Sequence, residues 1–542
     1  MNVVSPERSP ALPIELRRQY YDAGHWRGQT LWASFTAVAA ANAGTVAFVD
    51  GDRSLTFEQL RGDAERFGRA CLAVGLRPGD AVAVHGRHCL ESAVAIAGCA
   101  FAGLVPALLP HMFAVEQIRA ILANCGARLL VSLGENAETA RALQAGAGTG
   151  LVRTVVPDAG VATGTNVTPW SRFVECGDRD ASEACSRAAD DLALLIFSSG
   201  TTGEPKGVMH SANTLRFATE AYARFQAIGP ADTNLVVTAF GFVGSSVLGT
   251  YLTYLCGCRT VLQRSWNAAE ALALIARHRI THLLLMPTHA IDILESPQLD
   301  ATDCSSLTRG VVAGIDATHR LDARRRFCRR PYPMYGMSES PAHVTGSTDD
   351  DIDDLLTTEG RPLPGTDLEI RDDEDRLLPV GVPGHILVRG PNRFLGYYRN
   401  ETMNSASLTA DGYFRTGDVG VLDSRGMLTF VSRSKDIIRR GGVTITPADI
   451  EAALRSHPRL GDVAVVALPD PRLGERACAC VITRDGRDFA LEELTQFLEA
   501  RAFPRYQWPE AVERFDTFPR TPSLKVQKPE LRRQVLERRG SQ

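Results

Sequence analysis

The loop that follows an apolar run near position 200 combines glycines, hydroxyl groups and a lysine. It lies within residues 195–208, which read LIFSSGTTGEPKGV. Gly200, Gly203 and Gly207 let the backbone turn and bring N–H groups close to an anion, and Lys206 adds positive charge. The hydroxyl donors of the loop are Ser198, Ser199, Thr201 and Thr202. The loop predicts a polyphosphate site, although it lacks the Gly-Lys-Ser/Thr ending of the common P-loop.

The elements that must position this loop alternate between apolar runs of strand length and segments with helical periodicity. An apolar run at 82–84 precedes a helix-like segment at 89–102. The further runs are 192–197, 283–286 and 310–313. This alternation predicts an α/β fold with largely parallel sheets. Residues 134–190 are rich in Ala, Gly and Thr, and we expect loop-like connections there.

The second half of the chain changes character twice. From 345 to 432, short strands separated by Gly, Pro and Asp predict a β-rich subdomain. After 432, mixed helical and strand patterns predict a compact α+β module that is long enough to fold separately. We therefore expect a large N-terminal domain at 1–432, including the subdomain 345–432, and a small mobile C-terminal domain at 433–542.

Composition and charge exclude several classes of protein. Of 542 residues, 44% are apolar and 23% charged, and the net charge of −4 provides no general basic surface for nucleic acid. The 12 cysteines include no CxxC pair, which favours reduced thiols over a zinc site or a disulfide framework. The N-terminus has no apolar core of signal-peptide length. The uncharged stretch 93–110 contains two prolines and predicts a buried helix and strand rather than a membrane span. We expect a cytoplasmic protein.

Four further motifs accompany the loop. They are YGMSES at 335–340, YFRTGD at 413–418, SRSKDIIRRGG at 432–442 and PRTPSLK at 519–525. Together with the loop they resemble the adenylate-forming superfamily, which includes acyl-CoA synthetases, aryl-acid ligases, luciferases and nonribosomal adenylation domains. The resemblance covers nearly the whole chain and is greatest to acyl-CoA and aryl-CoA ligases. It implies ATP, Mg²⁺ and coenzyme A as cofactors or cosubstrates.

The resemblance assigns nucleotide-binding roles to the second and third motifs. Tyr335, followed by Gly336, would stack on adenine. Ser338, which stands where the family usually has threonine, would reach the α-phosphate. Glu339 would hold Mg²⁺, whose preference for oxygen suits a carboxylate shared with phosphates. Asp418 would accept hydrogen bonds from both ribose hydroxyls.

The resemblance also assigns roles to the last two motifs, which belong to the expected mobile C-terminal domain, the lid of the active site. Arg433 would contact ribose or phosphate, and Lys435 occupies the family's hinge position. Gly441 and Gly442 would line the path of the pantetheine arm of coenzyme A. Lys525 would bridge the acyl carboxylate and the α-phosphate, although Leu524 precedes it where the family usually has glycine.

The implied reaction explains why these residue types are needed. A carboxylate resists nucleophilic attack, and transfer of AMP to it, with release of pyrophosphate, activates it. The reacting anions repel one another, so Lys206, Lys525, the loop N–H groups and Mg²⁺ on Glu339 would neutralise the charge. A thiol then attacks the acyl adenylate, after rotation about Lys435 has removed Lys525.

We expect the acyl pocket around segments 240–249 and 314–316. The residues expected to line it are Phe240, Gly241, Phe242, Gly314, Ile315 and Met337. Gly241 and Phe242 stand where dihydroxybenzoate and salicylate enzymes have His-Asn, which disfavours a small hydroxylated benzoate. Gly241 would make room and Phe242 would offer an apolar wall. A bulky aromatic or alicyclic acid is expected first, and a medium-chain fatty acid second. Alternatively, Phe240 and Phe242 belong only to the core.

The expected thiol acceptor is coenzyme A, since no carrier domain follows Lys525 in this sequence. One alternative is a stand-alone ligase that loads a separate carrier protein in natural-product biosynthesis. Two others are a luciferase-like oxidation and a catalytically inactive nucleotide-binding regulator. The expected partners are a small carboxylic acid and coenzyme A, with no nucleic acid and no membrane span, and the protein is expected to be a monomer or homodimer.

Overall fold

The computed structural model describes residues 12–133, 143, 150–158, 166–179, 183–185, 187–199, 205–440, 443–521 and 525–540. The chain forms two compact units. The first comprises Met1–Leu368 and Val388–Phe414, and the second comprises Glu369–Leu387 and Arg415–Gln542. The domain boundary expected after residue 432 stays a prediction, because compactness does not locate a hinge.

The first unit contains most of the helices, and side-chain caps fix several of their starts. Thr56 and Gln59 form a capping box at the start of the longest helix, and the Ser211 hydroxyl accepts from the Thr214 N–H at another. The helices are α1 (Ile14–Asp22), α2 (Leu31–Ala41), α3 (Phe57–Ala73), α4 (Leu90–Ala102), α5 (Val115–Cys125), α6 (Trp170–Glu175), α7 (Ala212–Phe225), α8 (Val243–Ser245), α9 (Tyr251–Cys256), α10 (Ala268–His278), α11 (Pro287–Leu294), α12 (Ala317–Arg326), α13 (Ile352–Thr357) and α14 (Glu401–Ser407). A π-helical turn, Ser246–Thr250, joins α8 to α9.

The strands of the first unit are mostly short and apolar. They are β1 (Val46–Asp50), β2 (Arg53–Thr56), β3 (Ala81–Gly86), β4 (Val105–Pro110), β5 (Leu129–Ser132), β6 (Arg153–Val156), β7 (Val167–Pro169), β8 (Leu192–Ser199), β9 (Pro205–Ser211), β10 (Thr233–Val236), β11 (Arg259–Leu262), β12 (His282–Leu285), β13 (Gly310–Val312), β14 (Pro331–Tyr332), β15 (Met334–Met337), β16 (Ser340–Thr345), β17 (Arg361–Pro362) and, after two strands assigned below, β20 (Gly396–Tyr397). Continuous apolar runs of this kind are typical of parallel strands that are buried on both faces.

Two large sheets dominate the first unit. One has the order β14-β13-β12-β10-β11-β1-β2 and is parallel except for the β1–β2 pair. The other has the order β20-β9-β8-β4-β3-β5-β6-β7, and its antiparallel pairs are β8–β9 and β9–β20. A small antiparallel sheet, β15-β16-β17, carries the second motif.

Helices α3 and α4 pack closely at two glycines within the largest hydrophobic core. A Cβ atom at Gly68 would lie 2.7 Å from the Gly98 carbonyl oxygen, and one at Gly98 would lie 2.7 Å from the Ala64 carbonyl oxygen. These two glycines allow the helix backbones to meet. Phe67 on α3 and Val82 on β3 are fully buried in this same core.

The second unit is built mainly of antiparallel strands, three of which (β18, β19 and β21) have one or two end residues in the first unit. They are β18 (Asp367–Arg371), β19 (Gly384–Arg389), β21 (Phe414–Leu422), β22 (Leu428–Arg433), β23 (Ile438–Arg440), β24 (Val443–Ile445), β25 (Leu460–Asp470), β26 (Gly474–Thr483) and β27 (Ala511–Arg514). The first four form the sheet β18-β19-β21-β22, and the others form β24-β23-β26-β25 with β27 beside β26. The helices are α15 (Pro447–Arg455), α16 (Leu491–Ala500) and α17 (Lys528–Gly540).

The predicted α/β class with largely parallel sheets is confirmed. The stretch 93–110 is the end of α4 followed by β4, and no helix in the described part of the chain is long and apolar enough to cross a membrane. The prediction of loops throughout 134–190 was wrong, because β6, β7 and α6 lie there. These elements are three to six residues long, too short to show a clear hydrophobic period.

Candidate active site

The predicted phosphate loop lies between two paired strands. β8 and β9 are antiparallel, with Ser198 opposite Lys206 and Ser199 opposite Pro205. The predicted residues Gly200, Thr201, Thr202 and Gly203 lie outside the described part of the chain, as do the side chains of Ser198 and Ser199. The half-buried Lys206 is therefore the one predicted loop side chain that the structure describes.

The second motif forms a tight hairpin between β15 and β16. A Cβ atom at Gly336 would lie 2.6 Å from the Ala342 backbone nitrogen, so only glycine fits there. Ala342 itself has a positive φ of 46° and is buried, a strained conformation of the kind that clusters at functional sites. The Tyr335 ring is 9% exposed and meets the His343 ring at 4.8 Å, edge to face.

Tyr397, which lies in none of the sequence motifs, contacts two of the predicted catalytic residues. Its hydroxyl donates to Glu339 Oε1 at 2.7 Å, and Lys206 Nζ lies 5.9 Å from the centre of its ring. Burial and the neighbouring Glu339 carboxylate raise the pKa of Tyr397, so the hydroxyl stays a donor at neutral pH. Tyr397 thus brings Lys206 and Glu339 together, although they are far apart in the sequence.

His210 fixes the backbone beside Glu339. Its Nε2 lies 2.8 Å from the Ser338 carbonyl oxygen and its Nδ1 lies 3.2 Å from Thr214 Oγ1. Burial lowers the pKa of His210 to about 4, so the imidazole is neutral and donates to the carbonyl through Nε2–H. The Phe394 N–H donates to the Glu339 carbonyl oxygen at 2.8 Å and holds the same turn from the other side.

Three predicted site residues interact in the second unit. Asp418 on β21 is 8% exposed and lies opposite Arg433 on β22. Partial desolvation of the ammonium group lowers the pKa of Lys525, the Arg433 guanidinium lowers it further, and the Asp418 carboxylate opposes both effects. Lys525 and Arg433 are otherwise exposed side chains. The unit therefore places two cations and one carboxylate within electrostatic reach of each other.

The predicted hinge residue Lys435 is exposed and lies in a short 3₁₀ turn, Ser434–Asp436, directly after β22. The predicted pantetheine residues Gly441 and Gly442 lie outside the described residues.

In the predicted acyl segment, Phe240 is buried and Phe242 is half-buried. The Phe240 ring lies 5.3 Å from the His88 ring. Gly241 has a positive φ of 86°, and a Cβ atom there would meet Pro110 at 2.9 Å. The Cβ position of residue 241 therefore points at Pro110, and the role of Gly241 in making room for the acid stays a prediction. The glycine is required by its backbone conformation.

The remaining predicted pocket residues have different surroundings. Gly314 is exposed with a positive φ of 63°, and Ile315 is buried in the hydrophobic core of β12, β13, α11 and α12. Met337 packs partly buried against a cluster that includes Tyr397 and Phe414. Met337 therefore packs against the same cluster as Tyr397, whose hydroxyl contacts Glu339.

Comparison with known proteins places the chain in a family. Residues 35–398 match the AMP-binding enzyme family, and residues 449–525 match the AMP-binding enzyme C-terminal domain. The chain belongs to the adenylate-forming acyl- and aryl-CoA ligases. This confirms the resemblance that the five motifs indicate.

Curated relatives match over nearly their whole length. Pyochelin synthase PchD of Pseudomonas aeruginosa is 31% identical, with 98% of each chain covered. The 3-[(3aS,4S,7aS)-7a-methyl-1,5-dioxo-octahydro-1H-inden-4-yl]propanoyl:CoA ligase of Rhodococcus jostii is 31% identical, covering 90% of this chain and 95% of the relative. The 2-hydroxy-7-methoxy-5-methyl-1-naphthoate–CoA ligase of Streptomyces carzinostaticus is 29% identical, with 96% of each covered.

A solved structure shows the same fold. The ATP-bound MatB of Rhodopseudomonas palustris superposes with a TM-score of 0.84 at 24% identity, covering 94% of this chain and 99% of that one. The two chains therefore share this fold at low sequence identity.

Proposed function

We propose that this ligase joins a bulky aromatic or alicyclic carboxylic acid to coenzyme A through an acyl-adenylate intermediate. The first step transfers AMP from ATP to the acid and releases pyrophosphate. The observation that carries the proposal is the contact of Tyr397 with both Lys206 and Glu339 in a chain of the AMP-binding enzyme family.

Charge neutralisation explains the roles that we assign to the site. The acid and the triphosphate are both anionic, so cations must lie where they meet. Lys206 would bind the phosphates, and Lys525 would bridge the carboxylate and the α-phosphate. Asp418 would accept from the ribose hydroxyls beside Arg433. The acid is already the nucleophile, so this step needs no general base.

The residues present fit a magnesium ion bound together with ATP. In the described part of the chain, no group of three or more His, Cys, Asp and Glu side chains lies close enough to hold a metal. Mg²⁺ usually takes one or two carboxylates together with substrate phosphates and water, and Glu339 can supply such a carboxylate. When bound, the ion would neutralise phosphate charge.

The second step needs a thiol to reach the adenylate, and Lys525 would obstruct it. We propose that the lid rotates about Lys435, as the family resemblance implies. Lys435→Pro should then slow thioester formation more than adenylate formation. Measurement of both half-reactions tests this, and an unchanged ratio of the two rates would remove the hinge assignment.

Two features support the proposed acid. Phe242 is half-buried in the expected acyl segment. The family resemblance implies His-Asn at this position in enzymes specific for small hydroxybenzoates. Two relatives are named for bulky acids, a bicyclic alicyclic propanoate and a substituted naphthoate. A flat or fused-ring acid would pack against such an aromatic wall.

The experiment is an acid panel with ATP, magnesium and coenzyme A, followed by mass spectrometry of the thioester. The panel should contain naphthoates, alicyclic acids, hydroxybenzoates and medium-chain fatty acids. We expect fused-ring acids to give the highest kcat/KM and Phe242→Ala to weaken that preference at least several-fold. Higher activity with fatty acids would contradict the proposed substrate class, and acid-dependent pyrophosphate release without any coenzyme A thioester would contradict the acceptor.

A further inference from the structure

Two arginines of the first unit are completely buried. Arg216 on α7 is 1% exposed, and Arg393, in the loop before β20, is 0% exposed. All three guanidinium nitrogens of each side chain lack a hydrogen-bond partner among the described residues. Arginine is almost never fully buried unless it is paired, and an uncompensated buried charge is costly. These side chains need an explanation that the ligase reaction does not provide.

A second buried donor interacts electrostatically with Arg393. Tyr20 on α1 is 6% exposed, and its hydroxyl also lacks a hydrogen-bond partner in the described part of the chain. Burial raises the pKa of Tyr20, and the Arg393 guanidinium is the strongest charge that opposes this rise. Burial lowers the pKa of Arg393 to about 10, so its charge remains at pH 7.

The surrounding carboxylate does not neutralise Arg393. Asp367 interacts electrostatically with Tyr20, but it is exposed and pairs with Arg389 at 2.8 Å. The five N–H groups of Arg393 and the Tyr20 hydroxyl are therefore donors without an acceptor from the described residues. A species that fits this donor set must accept hydrogen bonds and carry negative charge.

Arg216 does not present the same arrangement. It lies near the cations Arg27 and Arg224, both of which pair with Glu220. The neighbouring Tyr21 hydroxyl already accepts from Asn213 at 2.8 Å. No second unsatisfied donor is therefore identified beside Arg216 in the described residues, and Arg393 is the stronger case.

The loop between β19 and β20, which contains Arg393, connects the Tyr20–Arg393 pair to the candidate active site. The Trp26 indole N–H donates to the Pro391 carbonyl oxygen at 3.0 Å, and the Tyr20 and Trp26 rings lie 5.2 Å apart. The Phe394 N–H, on the next residue after Arg393, donates to the Glu339 carbonyl oxygen. An anion bound by Arg393 would stabilise α1 and, through Phe394, the backbone at Glu339.

We propose that a small monovalent anion, such as chloride or formate, binds between the Arg393 guanidinium and the Tyr20 hydroxyl. The anion fastens residues 12–27 onto the loop that precedes β20. This site is separate from the proposed sites for ATP, acid and thiol, and its occupant is not consumed in the reaction. The anion site can therefore be tested independently of the proposed ligase activity.

The test compares thermal unfolding of the full chain in chloride, formate and gluconate at equal ionic strength. Gluconate is the reference because it is too bulky for a buried site. We expect chloride or formate to raise Tm by about 2–4 °C over gluconate, as for a ligand that binds only the folded state. A response to chloride alone would identify a halide site, and a response to formate alone a carboxylate site.

Single-residue variants show whether the anion-dependent rise in Tm arises at Arg393 and Tyr20. Arg393→Met should abolish the difference between salts, and Tyr20→Phe should shift the response to higher anion concentration. Arg389→Met is the matched control, because it removes a neighbouring arginine that already has a carboxylate partner, and it should keep the response. In crystals grown with bromide, an anomalous peak should lie within hydrogen-bonding distance of Arg393.

Equal Tm in the three salts would overturn the proposal, as would an unchanged chloride response in Arg393→Met. If Arg393→Met does not fold, the Tyr20→Phe titration and the bromide peak decide, and absence of both effects overturns the proposal.

Discussion

Lys525 has the most specific proposed role, because it should act in only one half-reaction. Lys525→Ala removes the cation that would bridge the carboxylate and the α-phosphate. We expect adenylate formation to fall about 10²–10³-fold, as when one donor to a developing charge is lost. Thioester formation from a preformed acyl adenylate should be nearly unchanged. Pyrophosphate release and thioester production, measured separately, check this.

A nearby lysine offers a control for loss of charge. Lys528 is paired with Glu451 at 2.7 Å in the same unit. Lys528→Ala should leave the ratio of the two half-reaction rates unchanged, even if it lowers stability. Equal losses in both half-reactions for Lys525→Ala would contradict its assigned role.

Tyr397 tests the geometry that the structure adds to the motifs. Tyr397→Phe keeps the ring beside Lys206 and removes the hydroxyl that donates to Glu339. A hydrogen bond to a charged group contributes about 1.5–3 kcal/mol, so adenylation should slow about 10–100-fold. The adjacent Tyr398→Phe is the control and should retain normal adenylation kinetics. Similar kinetics for the two variants would show that the Glu339 contact is unimportant.

Sequence motifs could predict the residue types of the site but not all of their contacts. Glu339, Asp418 and Lys525 stand in recognisable patterns. Tyr397 was missed because 58 residues separate it from Glu339, and only the pairing of β20 with β9 brings it near Lys206. The sign of φ at Gly241 is likewise invisible in sequence, so the backbone requirement for glycine at this position could not be predicted.

At the scale of elements, the β15–β16 hairpin positions Tyr335 and Glu339 together. A methyl group at Gly336 would overlap the Ala342 backbone, which cannot move aside as a side chain can. Gly336→Ala should therefore lower Tm by several degrees and adenylation at least tenfold, since overpacking typically costs about 1–3 kcal/mol. Unfolding and pyrophosphate-release assays measure both effects.

Gly62 on α3 is the matched control for this hairpin. A Cβ atom at Gly62 meets nothing within 4 Å, so Gly62→Ala should be neutral or stabilising. Equal changes in Tm and in adenylation rate for Gly336→Ala and Gly62→Ala would contradict the steric role of Gly336 in the hairpin.

Long elements were predictable from hydrophobic runs, whereas short ones were not. The helix expected at 89–102 is α4, and the run 192–197 lies in β8. β7 has only three residues and lies at the edge of its sheet, so no pattern identifies it. The order of the strands in the sheets depends on distant pairings, such as β4 with β8, that no local pattern contains.

At the scale of the whole molecule, six buried histidines make the first unit sensitive to acid. They are His85, His88, His210, His282, His289 and His343, and burial lowers their pKa values to about 3–4. Between about pH 6.5 and 4 the unfolded chain binds more protons than the folded chain. Stability should therefore be full above pH 6.5 and be lost as the pH falls, by about 1.4 kcal/mol per pH unit for each histidine.

Urea unfolding between pH 4 and 7.5 measures this loss. His289→Phe removes one of the six groups and should make the pH dependence shallower by one proton. A free energy of unfolding that is independent of pH over this range would contradict the buried neutral state of these imidazoles.

The central claim is that the molecule joins an acid to AMP, and the most direct measurement is exchange of radiolabelled pyrophosphate into ATP. The assay contains no thiol and uses the same acid panel. We predict exchange that depends on the acid, is greatest with fused-ring acids and is lost in Lys206→Ala. ATP binding without acid-dependent exchange for any member of the panel would contradict the account.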